Sequence, residues 1–229
     1  MKKNELIQEI REAAIIAIIR GVERENLPPL LDALAAGGIR FAEITFDQTG
    51  RTANTETAQS IADMKKRMAG RMHIGAGTVM TVGQADQAMT AGAEFLISPN
   101  VNPEVIRHTV AADCVSIPGA MTPTEAATAY GSGADFVKLF PADTLGLPYI
   151  KALMAPLSHI PFLAVGGVND RNLGDFLAAG LAGVGVGSAL TPKDRIAAGD
   201  FEAISEMAKR YTDAAFTAQK IQSKSELKS

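Results

Sequence analysis

The sequence predicts an α/β chain folded as one small (β/α)8 TIM barrel with an N-terminal helix. Three observations carry that expectation. Short apolar runs alternate with longer segments of helical spacing along the chain. The apolar runs are continuous, as parallel strands covered on both faces by helices must be. A glycine-bearing stop precedes several of them: Ala36-Gly37-Gly38, Ala91-Gly92-Ala93, Gly131-Ser132-Gly133-Ala134 and Ala179-Gly180-Leu181. Glycine suits a helix C-terminus because it tolerates a left-handed backbone. Eight β/α units in about 200 residues fit a small barrel. The rival is an open doubly wound sheet. It needs a dinucleotide fingerprint after the first strand, which Arg20-Gly21-Val22-Glu23 does not supply.

Residues 1–13 form an amphipathic, charge-bearing stretch, read as the N-terminal helix. The expected strands are Ile15–Ile19, Phe41–Thr45, His73–Gly77, Phe95–Ser98, Cys114–Pro118, Phe136–Leu139, Phe162–Val165 and Gly183–Gly187. Between them, polar-apolar spacing predicts helices over Asn26–Ala36, Thr55–Met68, Val82–Ala91, Pro103–Ala111, Thr124–Tyr130, Tyr149–Ala155 and Asn169–Ala179. A last helix, Asp200–Gln219, closes the chain, and residues 220–229 are expected to fray as a flexible tail. With no linker or composition shift, residues 1–229 read as a single domain.

The composition is 47% hydrophobic and 21% charged, ordinary for a globular protein. A formal net charge of -3 gives no electrostatic case for nucleic acid or an anionic membrane. Cys114, the one cysteine, flanked by apolar residues, reads as an inert core thiol. The N-terminus lacks the apolar core of a signal peptide, and no apolar run is long enough to span a bilayer. The expectation is a soluble, cytoplasmic protein.

Barrel active sites lie at the C-terminal ends of the strands. There the sequence places Lys138, in Phe136-Val-Lys-Leu139. Burial disfavours the charged form of an amine, and an amine of lowered pKa is the nucleophile that Schiff-base chemistry needs. The plainer reading is a lysine that snorkels to solvent from a strand end. Glu43 and Thr45 share the inward face of the second strand. A carboxylate there needs a partner, and Lys138 is the natural one. The two are then either a buried ion pair or an acid/base beside a nucleophile. Gly166-Gly167 and Gly187-Ser188 follow the seventh and eighth strands, where barrels commonly hold phosphate, and a helix starting near Asn169 would add its dipole. His73, His108 and His159 show no ligand spacing, so no metal is expected.

Taken together, Glu43-Ile-Thr, Gly75-Ala-Gly-Thr-Val79, Ile97-Ser-Pro99, Ile117-Pro-Gly119, Phe136-Val-Lys-Leu-Phe-Pro141, Val165-Gly-Gly167 and Gly187-Ser188 resemble one family. It is the class I 2-keto-3-deoxy-6-phosphogluconate aldolases, with their 4-hydroxy-2-oxoglutarate and 6-phosphogalactonate relatives. The resemblance runs from about Ile15 to the last helix. It implies a barrel, usually trimeric, that cleaves a 2-keto-3-deoxy sugar acid phosphate to pyruvate and an aldehyde without a metal or other cofactor. It implies Lys138 as the Schiff-base lysine and Glu43 as acid/base. Thr78, Pro99, Pro118 and Phe140 would bound the substrate pocket, and Gly166, Gly167, Gly187 and Ser188 would take the phosphate. Many members carry an arginine shortly after the strand-2 glutamate, where it binds the pyruvate carboxylate. Here Phe46-Asp47-Gln48 stands there, and Asp47 would repel a carboxylate. Arg20, in the Ile-Arg-Gly that the galactonate relatives share, is the expected replacement, with Arg51 the alternative. Outside this reading stand a 4-hydroxy-2-oxoglutarate aldolase, a phosphate-binding isomerase or epimerase with no need of an amine, and a non-catalytic phosphate-binding barrel.

Overall fold

A computed structural model describes residues 2–226, with side chains through residue 221. The elements run α1 (Lys3–Ala13), β1 (Ile15–Ile19), a 3-10 turn (Arg24–Asn26), α2 (Leu27–Ala36), β2 (Phe41–Thr45), α3 (Asn54–Arg67), β3 (His73–Gly77), α4 (Val82–Thr90), β4 (Phe95–Ile97) and α5 (Pro103–Ala111). They continue β5 (Val115–Ile117), β6 (Gly119–Ala120), α6 (Pro123–Gly131), β7 (Val137–Leu139), α7 (Ala142–Met154), β8 (Phe162–Val165), α8 (Leu173–Ala178), β9 (Gly183–Val186), α9 (Lys193–Ala197) and α10 (Phe201–Glu226).

The strands are ordered β5-β4-β3-β2-β1-β9-β8-β7-β6, all in parallel pairs. β5 and β6 are one barrel strand broken at Pro118, which has no N–H to give a ladder. That strand closes the barrel: the Ser116, Pro118 and Ala120 carbonyls accept from the Asp135, Lys138 and Phe140 amides at 3.0, 2.9 and 3.1 Å. Gly119 is required at the join, since a Cβ there would stand 2.5 Å from the Pro99 carbonyl oxygen.

Strand alternation sorts the core into two shells. Outward residues such as Ile15, Ala17, Ile44, Ile74, Leu139 and Val184 pack under the helices. Inward residues Ile16, Phe41, Phe95, Ile97, Val115, Ile117, Phe136 and Leu163 fill the lumen and pack with Leu6 and Ile10 of α1. The N-terminal helix therefore plugs the end where the strands begin. Gly75 makes room for this filling, because a Cβ there would meet the Phe95 ring at 2.4 Å.

The expected elements differ at several points. The helix expected over Tyr149–Ala155 begins at Ala142, with its first turn set off by Gly146 at φ 73. The helix expected from Asn169 begins at Leu173. The Asn169 side chain instead accepts from the Arg171 and Asn172 amides at 3.0 and 3.2 Å, holding a turn. The last helix, expected to end at Gln219, runs to Glu226 because Lys220-Ile-Gln-Ser contains no helix breaker. Residues 227–229 lie outside the described residues. The short α9 was not anticipated.

Ile10 is 2% exposed, at the centre of the plug. Ile10→Ala should destabilise the fold by about 2–5 kcal/mol. Urea denaturation measures this, and a loss below about 1 kcal/mol would show that α1 is not integral to the barrel.

Candidate active site

Above the apolar filling, two ionisable side chains enter the lumen. Glu43 lies in register with Ile18 of β1 and Gly75 of β3, and Lys138 with Gly119 of β6 and Leu163 of β8. They are 1% and 5% exposed, so Lys138 does not snorkel to solvent. No ion pair joins them, and Glu43 Oε2 has no hydrogen-bond partner among the described residues. The expected buried ion pair is thus not a direct contact. Burial pushes the Glu43 carboxyl up to about 7, against the pull of Lys138 and Arg20. Burial also lowers the Lys138 amine; Glu43 opposes this and Arg20 adds to it. The Lys138 Nζ lies 4.8 Å from the centroid of the exposed Phe140 ring. Gly77 is shaped to this site, since a Cβ there would stand 2.3 Å from Glu43 Oε2.

Arg20 extends from the end of β1, and its Nη2 donates to Thr78 Oγ1 at 3.4 Å. It forms no ion pair with Glu43 or Asp47. Thr78 holds φ at +56, a left-handed conformation that costs a β-branched residue about 1–3 kcal/mol. The Gln48 amide steadies it by donating to the Thr78 carbonyl at 3.3 Å. Asp47 does not face the mouth as a free charge. Its carboxylate accepts from Thr49 N and Oγ1 and from the Arg51 and Thr52 amides at 2.7–3.0 Å. These bonds, Thr49's foremost, hold its pKa down to about 2. The loop around it is a cage for its own aspartate.

Around the rest of the mouth, Ser98 Oγ donates to the Val79 carbonyl at 2.7 Å, which fixes the segment leading to Pro99. Pro118 is buried in the closing strand, and Pro99 is half-buried beside it. Gly166 and Gly167 both have positive φ, 97 and 68. The open face of Gly167 is filled by Asp143, whose Oδ2 is 2.3 Å from where a Cβ would be. The six-residue α8 starts beyond Asn172, so its N-terminus does not meet these glycines as expected; the start of α7 does, with the Asp143 amide donating to the Gly166 carbonyl at 3.2 Å. Gly187 is half-buried and Ser188 exposed at the end of β9.

The sequence profile for KDPG and KHG aldolase matches residues 6–207. The chain belongs to this aldolase family. It is 35% identical over 206 residues to the 2-dehydro-3-deoxy-phosphogluconate aldolase of Treponema pallidum, covering 90% of this chain and 95% of the relative. It is 37% identical to the 2-dehydro-3-deoxy-6-phosphogalactonate aldolase of Escherichia coli, covering 77% and 83%. A solved KDPG aldolase from Legionella pneumophila, with pyruvate captured as a covalent carbinolamine, superimposes with a TM-score of 0.80 at 29% identity, covering 91% of this chain and 97% of that one.

In this aldolase, the residues singled out in the sequence gather at one barrel mouth, at the C-terminal strand ends. Sequence reasoning missed three features of it: the steric need for Gly77, the caging of Asp47, and Asp143 over Gly167. Glycines in Gly75-Ala-Gly77 were a visible signal for the first; the others depend on loop paths. Among the described residues, no group of three His, Cys, Asp or Glu could hold a metal ion. His73 instead lies at the opposite barrel end, 3.1 Å from Glu94 and 3.2 Å from Glu9. His108 pairs with Asp86 at 2.6 Å. Burial pushes the Cys114 thiol up to about 12. No helix among the described residues is long and apolar enough to cross a membrane.

Glu43 titrates at 4.5 in an unfolded chain and at about 7 here. Between those values the folded state keeps a proton that the unfolded state has lost. Its contribution is therefore full at low pH and declines as pH rises toward 7. Glu43→Gln should flatten that decline, opening a gap in the variant's favour of about 1–3 kcal/mol between pH 5 and pH 8. Urea unfolding across that range reads it. Parallel profiles for the two proteins would remove the buried carboxyl as the source.

Proposed function

We propose that the chain is a class I aldolase that cleaves a 2-keto-3-deoxy-6-phospho-aldonate, of the gluconate or galactonate type, to pyruvate and glyceraldehyde 3-phosphate. The observation that carries this is Lys138: a buried amine of lowered pKa in a barrel lumen, facing Glu43 and without an ion-pair partner. Its nitrogen attacks the C2 carbonyl to give a carbinolamine, which loses water to become an iminium ion. Glu43, poised near neutrality, takes the C4 hydroxyl proton. The C3–C4 bond then breaks, its electron pair passes to the iminium nitrogen, and the aldehyde departs. Glu43 returns a proton to C3 of the resulting enamine, and hydrolysis releases pyruvate and restores the amine. The iminium ion supplies the electron sink, so the reaction calls on no metal or other cofactor.

Arg20 and Thr78 are the proposed hold on the keto-acid carboxylate, bounded by Pro99, Pro118 and Phe140. Gly187 and Ser188, with Gly166 and Gly167 beyond, are proposed for the phosphate, and Asp143 requires that phosphate to lie toward the β9 side. We further infer one barrel domain over residues 1–229, cytoplasmic, acting on a small molecule and not on nucleic acid or membrane. A homotrimer is the proposed assembly. Met121, Phe140 and Tyr149, all exposed, leave apolar surface at one side of the mouth, and Tyr149 Oη donates to the Met121 carbonyl at 2.9 Å.

Pyruvate and borohydride should add one pyruvate-derived mass to the peptide holding Lys138. Lys138→Met should keep the fold and lose the adduct. An adduct on Lys151 would refute the assignment, and an isomerase or plain phosphate-binding barrel would give none.

Arg20→Leu should weaken pyruvate binding by roughly 2–3 kcal/mol, as expected for losing a charge-assisted pair. Pyruvate affinity of Arg20→Leu and Arg51→Leu measured side by side decides between them. If only the Arg51 change matters, the carboxylate is held from the β2–α3 loop.

A further inference from the structure

A cavity of about 510 Å³ lies beside the barrel lumen, between the segment after β1, the β2–α3 loop and helix α3. Ile19, Ile44 and Phe46, which point outward from their strands, form one wall, with Leu27 of α2 beside them. Its floor holds Thr57 and Ser60 of α3, 4% and 6% exposed. Neither hydroxyl has a hydrogen-bond partner among the described residues, and neither oxygen is sealed from solvent. A helix hydroxyl often bonds the carbonyl one turn back, as Thr109 does with Val105 at 2.8 Å; these two stay open to the cavity instead.

The charges on this cavity are unequal in what they have left to bind. Arg20, Arg51 and Lys193 line it, and none of them is in an ion pair within the described structure. Arg24 is taken by Asp63. Asp47 is spent on the amides of its own loop. Glu23 and Glu56, the remaining acids on the lining, are exposed, as are Arg20, Arg51 and Lys193. What is left over is two guanidinium groups and an ammonium against two carboxylates, with the Thr57 and Ser60 hydroxyls below them. That donor set suits a tetrahedral oxyanion.

We propose that this cavity is a second anion site, for inorganic phosphate or a small phosphate monoester, and that filling it weakens the hold on the keto acid. None of Gly166, Gly167, Gly187 or Ser188 lines it, so it is separate from the loops proposed for the substrate's phosphate. Arg20 and Thr78, the proposed hold on the carboxylate, belong to both places: they are joined at the mouth and both also line the cavity, with Thr45. Two anions sharing one guanidinium repel, and the coupling is reciprocal. The volume leaves space beside a phosphate for a few carbons against Leu27 and Val22. The binding claim stands on the cavity alone; the effect on the keto acid rests on the aldolase reading.

The test uses the full chain at constant ionic strength, with inorganic phosphate, glycerol 3-phosphate and potassium chloride as separate arms. Calorimetry reads anion binding directly, and borohydride trapping reads pyruvate affinity. Either phosphate compound should weaken pyruvate affinity by about 5-fold or more, and the tighter of the two identifies which source the cavity favours. Ser60→Leu fills the floor, and the exposed Lys193→Met removes a cation without touching the core. Both should lose the phosphate effect while keeping phosphate-free pyruvate affinity. An effect that chloride reproduces, or that survives in Lys193→Met and Ser60→Leu, overturns the proposal. Absence of any pyruvate adduct without phosphate would instead fail the aldolase reading, and calorimetry on the same variants would still decide the cavity.

Discussion

Desolvation of Glu43 and Lys138 is the constraint to which the rest of the barrel is fitted. Each side chain is held in a lumen whose lower part is filled by Phe41, Phe95 and Phe136, so neither can be hydrated from below. An ion buried without compensation is costly, and each group answers by moving toward its neutral form: the carboxyl upward, the amine downward. Their mutual attraction opposes both shifts without a direct bond. This leaves a proton that is cheap to move between states, and an amine that a carbonyl carbon can reach only from the mouth. In the proposed mechanism, the same burial that costs stability is what makes the pair reactive.

The two ends of the barrel divide the work. At the N-terminal end, α1 seats Leu6 and Ile10 against the phenylalanine layer, while Lys3 pairs with Asp135 at 2.9 Å on the rim. His73, Glu9, Glu94 and Lys65 form a further polar ring there, outside the apolar filling. Those groups are partly solvated and closely paired, so they tie elements together. At the mouth the pattern reverses, with polar groups that are buried or unpaired and a threonine held at positive φ. Strain and unsatisfied groups concentrate where a ligand would relieve them.

Much of this was legible in the sequence, because alternation and helix stops are local signals. The runs at Ile15–Ile19, Phe41–Thr45, His73–Gly77 and Phe162–Val165 fall at the observed strand boundaries. Lys138 and Glu43 stood out because charges are rare in such runs. What was not legible is set by contacts distant in sequence. Nothing near Gly167 announces that Asp143 covers it. Asn169 reads as a helix start, yet its side chain closes a turn first. The cavity over Thr57 and Ser60 needs three segments to be assembled before it exists.

The Asp47 position shows how a local departure can leave the chemistry of the mouth intact. In the proposed reading of the site, a free aspartate here would place an anion beside the incoming carboxylate. The loop avoids this by turning on itself, so that the Thr49, Arg51 and Thr52 amides and the Thr49 hydroxyl enclose the carboxylate. The proposed carboxylate hold needs a cation, and strand register decides where it can come from. Ile18 pairs with Glu43 and Ile19 with Ile44, so Arg20 follows at the level of Thr45, which itself pairs with Gly77. That is one lumen-facing step above Glu43, next to Thr78. A guanidinium on β1 thus arrives at the height that an arginine just past β2 would serve, from the neighbouring strand. Its hydrogen bond to the strained Thr78 holds it over the mouth. Only a strand adjacent to β2 and in this register could make the exchange without moving the barrel.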